Sequence, residues 1–96
     1  MKIEFNKNEG ILNISLDGRL DTITAPEFEE FLKSNLADVF SVIIDCEKLE
    51  YISSAGLRVL LALNKKVKKN LCLVNVQELV MEVLEVTGFA NILEIK

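Results

Sequence analysis

The sequence predicts an α/β fold, in which a mixed β-sheet is flanked by helices in the order β-β-α-β-α-β-α-β. Two observations lead to this prediction. Short runs that are alternately or continuously apolar, as strands are, are separated by longer segments with apolar residues at helical spacing. The later strands are joined through these helical segments, which implies adjacent parallel strands with right-handed crossovers.

The chain opens with a predicted antiparallel hairpin. Lys2–Asn6 and Ile11–Leu16 both alternate apolar and polar residues, and Asn8–Gly10 between them is typical of a turn. The pair Asp17-Gly18 is a strong turn signal, so we expect the chain to leave the sheet there.

A first helix is predicted from Thr24 onward. Thr24 can accept a backbone N–H as the N-cap, Pro26 needs no N–H in the first turn, and Glu27 would complete a capping box. Helical spacing places four apolar residues on one face, Phe28, Phe31, Leu32 and Leu36. That face is expected to cover the sheet.

Two continuous apolar runs predict strands in the middle of the sheet. Ser41–Cys46 and Leu71–Asn75 show no alternation, which is typical of strands covered on both faces. Glu47–Glu50 is interpreted as a charged connection, and the central helix is expected from Ser54 to about Lys69. Its core stripe is predicted to consist of Leu57, Leu60, Leu61 and Asn64, widened by Val59 and Leu63.

The C-terminal part predicts a third helix and a last strand. The apolar face of this helix is expected to consist of Val76, Leu79, Val80, Val83 and Leu84. Gly88 can end the helix, and Asn91–Ile95 is predicted to form a short strand.

Length and charge bound the class of protein. The 96 residues are 50% hydrophobic with a formal net charge of -4, so we expect a single domain, residues 1–96, with one core. The acidic balance argues against direct nucleic-acid binding, which needs many cations on phosphates. The lysines of Lys65–Lys69 are interpreted as a solvated helix end rather than a phosphate-backbone site.

The sequence contains no membrane or export signal. The longest apolar run, Val59–Leu63, is too short to cross a bilayer, and Met1–Glu9 does not resemble a signal peptide. We therefore expect a cytoplasmic protein that does not contact a membrane. Cys46 and Cys72 do not form a CxxC pair and are interpreted as reduced core thiols.

The residues needed for most enzymatic chemistry are missing. The chain has no histidine, which excludes histidine-based triads, histidine zinc sites and the commonest general base. It has neither a phosphate-binding P-loop nor a GxGxxG motif. Asp21 and Asp45 could approach each other, but Asp is common at strand ends. We therefore expect no enzyme, no cofactor and no metal site.

The most informative stretch is Ser53-Ser54-Ala55-Gly56, between a buried strand and the central helix. A serine here can cap the helix by accepting a backbone N–H, or it can accept a phosphoryl group. Gly56 in the first turn costs roughly 1 kcal/mol relative to alanine. Such a glycine is used where a neighbouring strand or a partner protein must approach the backbone closely. The residues alone do not decide whether the serine is a cap or a phosphoryl acceptor, or whether Gly56 faces a strand or a partner.

Four motifs occur in a characteristic order along the chain: Gly18-Arg19-Leu20-Asp21, Thr24-Ala25, Ile43-Ile44-Asp45 and Tyr51–Leu57. Together they resemble the STAS domain, the fold of the bacterial anti-sigma factor antagonists. The resemblance covers essentially the whole chain and implies a STAS-like mixed sheet flanked by helices. It also implies a phosphorylation-switched regulator of transcription. In the family that this chain resembles, an anti-sigma factor with a histidine-kinase-like ATPase fold phosphorylates a serine before the central helix, and a metal-dependent serine phosphatase reverses this. The unmodified form binds the anti-sigma factor and frees the sigma factor.

Carried over position by position, the resemblance makes Ser54 the phosphorylation site, with Ser53 as the alternative acceptor. Ser53 stands where the family usually has Asp, and Ala55 stands where it has a second Ser or Thr. Asp21 matches an acidic residue near the acceptor. The implied partner-binding residues are Asp21, Ser53, Ala55, Gly56 and Arg58.

Two other functions remain open from the sequence. The same fold could be a constitutive scaffold that binds a partner while Ser54 stays unmodified. It could also sense a small ligand or nucleotide through the anion-favouring N-terminus of the central helix.

Overall fold

The computed structural model describes residues 1–96 and confirms the predicted α/β class, with one strand more than the sequence predicts. The elements are β1 Lys2–Asn8, β2 Ile11–Leu20, α1 Ala25–Asn35, β3 Ser41–Asp45, β4 Leu49–Ile52, α2 Ser54–Lys66, β5 Leu71–Val74, α3 Glu78–Val86 and β6 Glu94–Ile95. A single 3₁₀ turn, Phe89–Asn91, precedes β6.

The sheet is mixed, and its strands lie in the order β1-β2-β3-β5-β6. β1 and β2 form the predicted antiparallel hairpin, whereas β3, β5 and β6 follow β2 in parallel. β4 pairs in parallel with the far end of β2. The parallel pairs agree with the crossover connections inferred from the sequence.

The core lies on one face of the sheet. Along β3, β5 and the first part of β2 (Ile11–Leu16), every second residue is buried and packs into one cluster with residues of all three helices. The prediction that β3 and β5 are covered on both faces was therefore wrong. Ile43 and Cys72 are only half-buried, because no helix packs on the second face.

The two cysteines illustrate the difference between the faces. Both are free thiols, but only Cys46 is buried in the core, while Cys72 is half-buried on the open face. Burial raises the pKa of the Cys46 thiol to about 12, and Asp45 and Cys72 add to this shift. A thiol with such a pKa stays protonated at neutral pH and is a poor nucleophile.

The predicted turn at Asp17-Gly18 was wrong, and the predicted connection at Glu47–Glu50 is a turn only at Glu47 and Lys48, because β4 begins at Leu49. β2 continues through Gly18, which has φ +113° and lies at a register shift in the pairing with β4. The Gly18 N–H donates to the Lys48 carbonyl over 3.0 Å. Leu49 is buried although its neighbours are charged, so packing against β2 makes this segment a strand.

Several helix details also differ from the sequence prediction. Thr24 occupies the N-cap of α1 without a side-chain cap bond, so the capping box with Glu27 does not form. α2 ends at Lys66 rather than near Lys69, and Lys68 and Lys69 adopt positive φ. In α2, Leu61 is half-buried, whereas the flanking Val59 and Leu63 are fully buried.

The last elements are shorter than predicted. α3 begins at Glu78, and Leu79, expected on its inner face, is 54% exposed. Gly88 adopts φ +82° immediately after the helix, in agreement with its predicted role as the stop. The predicted strand Asn91–Ile95 is reduced to Glu94–Ile95 because the preceding residues form the 3₁₀ turn. None of the three helices has the length and apolar character needed to span a bilayer.

Gly56 brings the first turn of α2 into direct contact with β2. An added Cβ would lie 2.8 Å from Leu20 Cγ, 2.9 Å from the Leu20 carbonyl oxygen and 3.0 Å from Ile52 Cγ1. The structure thus gives Gly56 a packing role against a neighbouring strand, one of the two roles that the sequence left open. The carbonyl is part of the backbone, so it cannot move aside as a side chain could.

We predict that Gly56→Ala destabilises the protein. Alanine gains about 1 kcal/mol of helix propensity, but the clash with the Leu20 carbonyl is an overpacking that costs about 1 to 3 kcal/mol. We expect a net loss of about 1 kcal/mol in urea unfolding. Ala62→Ser, on the exposed side of the same helix, is the control and should change stability by about 0.5 kcal/mol or less. A Gly56→Ala protein more stable than the wild type would contradict the close contact.

Candidate functional site

The two serines at the start of α2 have different environments. Ser53 is the N-cap, with φ -102° and ψ 176°, and its Oγ accepts the Gly56 N–H over 3.5 Å. Its own N–H donates to the Leu20 carbonyl over 2.9 Å, which fixes it to the end of β2. Ser54 is the first helical residue and its side chain is exposed. The capping role therefore belongs to Ser53, and the Ser54 hydroxyl is accessible from solvent.

The surroundings of Ser54 favour negative charge. The first turn of α2 contains no acidic residue, and a helix N-terminus carries partial positive charge. Arg58 lies one turn further on, with its Nη2 3.5 Å from the Ser54 Oγ. A distance of 3.5 Å is long for a hydrogen bond. Because the guanidinium is also exposed, the contact can readily rearrange.

Asp21 organises the loop between β2 and α1. Its Oδ1 accepts the N–H groups of Ile23 and Thr24 over 3.0 and 3.1 Å. The Thr24 hydroxyl donates to the Arg19 carbonyl over 2.7 Å. Asp21 thus bonds the backbone of the turn that leads into α1, whereas the cap bond that the sequence assigned to Thr24 is not made. The result is a tightly bonded loop beside the start of α2.

The electrostatics of this loop favour the ionised carboxylate. The Thr24 N–H is the largest of the causes that lower the pKa of the Asp21 carboxyl below its ordinary value. Partial desolvation opposes it, while the Ile23 N–H, the Thr24 hydroxyl and the Arg19 guanidinium act in the same direction as Thr24. Arg19 Nε lies 3.6 Å from Asp21 Oδ2.

Arg19 also stacks on Tyr51, with its guanidinium carbon 4.3 Å from the ring centroid. The two residues are neighbours in the pairing of β2 with β4. Next to this pair in the loop, the Ile23 side chain is 85% exposed. Sequence analysis missed all three residues as site members. For Ile23, the available signal was an isoleucine in a polar loop. The stack of Arg19 on Tyr51 gave no signal, because it depends on β4, a strand that the sequence did not predict.

A surface groove joins the start of α2 to the start of α1. Its volume is about 270 Å³, and it is lined by Thr22, Ala25, Pro26, Glu29, Ala55, Arg58 and Val59. The structure therefore brings the predicted Ala55 and Arg58 together with the loop that Asp21 holds. Ser53 and Gly56 do not line the groove: Ser53 is half-buried, and Gly56 is buried against Leu20 and Ile52.

Asp45 is engaged elsewhere. Its Oδ1 accepts hydrogen bonds from the Asn75 amide over 3.1 Å and the Glu47 N–H over 3.0 Å. It lines a groove on the open face of the sheet. Across residues 1–96, no group of three or more acidic or cysteine side chains is arranged to hold a metal ion.

The fold and these contacts define an α/β domain with an exposed hydroxyl at the start of its central helix. The STAS domain family model matches residues 2–96, and the chain belongs to this family. BtrV of Bordetella bronchiseptica, a candidate anti-sigma factor antagonist, is 34% identical over 96 residues, covering 96% of this chain and 83% of that protein. The anti-sigma-B factor antagonist of Bacillus subtilis is 26% identical over 98 residues, covering 99% of this chain and 90% of that protein.

Solved structures share the fold. An anti-sigma factor antagonist from Mycobacterium paratuberculosis has a TM-score of 0.85 at 24% identity, covering 98% of this chain and 83% of that one. The Bacillus cell fate determinant SpoIIAA, in its phosphorylated form, has a TM-score of 0.75 at 16% identity, covering 99% of this chain and 91% of that one. At these identities the structural likeness shows the fold alone.

We predict that stability depends on the ionisation of Asp21. Because the folded-state pKa is lowered from 3.8, the carboxylate stabilises the native state above that value, and this contribution is lost as pH falls through the folded pKa. Asp21→Asn should therefore be less stable than the wild type at pH 7 in urea unfolding. The difference should shrink steadily in the acidic range below pH of about 4. Asp38→Asn is a control, because Asp38 is an exposed aspartate outside this loop. An Asp21→Asn deficit that does not vary with pH would contradict the assignment.

Proposed function

We propose that this chain is an anti-sigma factor antagonist, which binds an anti-sigma factor and thereby frees a sigma factor for transcription. The observation that carries the proposal is the exposed Ser54 hydroxyl beside a solvent-accessible groove. Family membership and the named relatives support it. In this function the chain performs no chemistry of its own and acts by binding.

The proposed docking surface is the groove together with the loop held by Asp21. Ala55 and Arg58 form one wall of the groove, and the loop presents the exposed Ile23. Ile23 adds an apolar side chain to a surface that also carries charged groups, and protein interfaces combine both. Ser53 and Gly56 act indirectly in this proposal, because they fix the position of the first turn of α2.

The proposed switch is phosphorylation of Ser54 by the anti-sigma factor acting as a serine kinase. The Ser54 oxygen forms a bond to the γ-phosphorus of ATP, the bond to ADP breaks, and the hydroxyl proton passes to a base on the kinase. A metal-dependent serine phosphatase returns the hydroxyl by hydrolysing the phosphoserine. Both enzymes must reach the oxygen, and the exposure of Ser54 meets this requirement.

The charge change explains how modification would act on binding rather than on folding. Phosphoserine carries about -1.5 to -2 charges near neutral pH. At a helix N-terminus this charge is tolerated, so the domain stays folded. A docked partner would have to desolvate the phosphate, and Asp21 would add repulsion. A few kcal/mol are enough to shift the binding equilibrium decisively.

We predict that Ser54→Asp weakens binding to a cognate anti-sigma factor of the ATPase type. The added carboxylate places negative charge on the docking surface, and we expect a Kd at least about tenfold higher by calorimetry. The melting temperature should change by only about 2 °C. Ser34→Asp, an exposed position in α1, adds the same charge away from the groove and should bind normally. Unfolding by Ser54→Asp with unchanged affinity of the folded fraction would contradict the switch.

We predict that the same ATPase, incubated with ATP, adds one phosphoryl group to the wild type and to Ser53→Ala but none to Ser54→Ala. Intact-protein mass spectrometry distinguishes the three results.

Modification of Ser54→Ala would identify Ser53 as the acceptor. A wild type that binds the ATPase but is never modified would indicate the constitutive scaffold. Stabilisation by free nucleotides in thermal-shift measurements, without partner binding, would indicate the ligand sensor.

A further inference from the structure

Arg58 is a cation without a fixed anionic partner. The ion pairs of the structure join Arg19 to Asp21 and Lys96 to Glu94, and neither involves Arg58. Its one polar side-chain contact is the 3.5 Å approach of Nη2 to the Ser54 Oγ. A guanidinium placed one helical turn from a phosphate acceptor is well positioned to meet the phosphate.

We propose that a phosphate on Ser54 is held by Arg58, so that modification pairs this guanidinium and removes its free positive charge from the docking groove. The inference rests on the proposed function, because it takes Ser54 as the acceptor. It adds a second consequence to the charge introduced by the phosphate. The groove loses a positive group that a partner would otherwise contact.

The chemistry of the pair favours this capture. A guanidinium presents a planar fork of N–H donors that matches two phosphate oxygens, and such charge-assisted bonds are short and strong. The phosphate oxygens extend from the same Oγ that Arg58 already approaches. Neither Ser53 nor the first turn of α2 contains a carboxylate that could compete with the phosphate for the guanidinium.

Glu29 is the carboxylate in the groove lining, and Asp21 lies in the loop beside it. Asp21 is already bonded to the N–H groups of its loop and to Arg19. Glu29 lines the groove with Arg58 but forms no ion pair with it. The phosphate dianion is therefore the strongest anion available to Arg58.

Capture of Arg58 changes the charge of the groove. Glu29 and Arg58 are the charged residues among those that line it, so the unmodified lining is balanced. Once Arg58 pairs with the phosphate, Glu29 is the remaining charge and the lining becomes acidic. A partner that presents a carboxylate to Arg58 in the unmodified state would meet repulsion in the modified one.

The test uses the isolated full chain with phosphoserine incorporated at position 54 during synthesis. Phosphorus NMR during a pH titration gives the second pKa of the phosphate. A neighbouring cation stabilises the dianion and lowers this pKa, so we expect a value about half a unit lower in the chain that retains Arg58 than in Arg58→Gln. Arg58→Lys should lie between them, and added salt should reduce the difference. Glu29→Gln is the control for the other charge of the groove. Introduced into both chains, it should preserve the pKa difference that Arg58→Gln causes.

A second measurement observes Arg58 directly. In the wild type, the guanidinium Nε–H resonance should shift on phosphorylation of Ser54, as expected for a new hydrogen bond to phosphate. Equal phosphate pKa values with Arg58 and with Arg58→Gln, or an unmoved guanidinium resonance, would overturn the inference. Because no partner is present, these results are independent of whether the unmodified chain binds an anti-sigma factor. Failure of that binding would refute the proposed function alone.

Discussion

The close contact between Gly56 and the end of β2 determines the geometry of the site. With no side chain at this position, the first turn of α2 rests on Leu20, to which the Ser53 N–H also bonds. Ser53 is thereby held in the extended conformation of an N-cap. The helix begins at Ser54, whose side chain then faces solvent, and one further turn brings Arg58 back to it. A packing requirement of the core thus sets which hydroxyl is accessible.

Two arginines beside this contact have different tasks. Arg19 is committed, since it pairs with Asp21 and stacks on Tyr51, and it joins β4 to the loop before α1. Arg58 is exposed and makes a single long polar contact. Arg58, which has no ion-pair partner, can respond to a charge added at the surface while the core keeps its packing. The hydrogen bonds of Asp21 to the Ile23 and Thr24 N–H groups hold the turn that leads into α1, the second wall of the groove.

Several features of the candidate site could be recognised in the sequence, because their signals are local. A serine before an apolar helix and a glycine in the first turn can be recognised from neighbouring residues alone. Local signals left open which of Ser53 and Ser54 caps the helix, since both are good caps and the choice depends on the hydrogen bond to Leu20. The choice of Ser54 as the acceptor came from the family resemblance. The stack of Arg19 on Tyr51 was missed for a related reason. Its two residues are brought together by pairing between β2 and β4, which are distant along the chain.

The sequence by itself determined the α/β class, the hairpin, the three helices and the family motifs, because apolar periodicity and turn chemistry act over a few residues. Only the tertiary structure decided that the helices cover one face of the sheet and that Leu49–Ile52 is a strand. It also decided that β2 continues through Gly18. These outcomes depend on which distant backbone N–H and C=O groups find partners and which apolar surfaces meet. Local spacing carries no information about either.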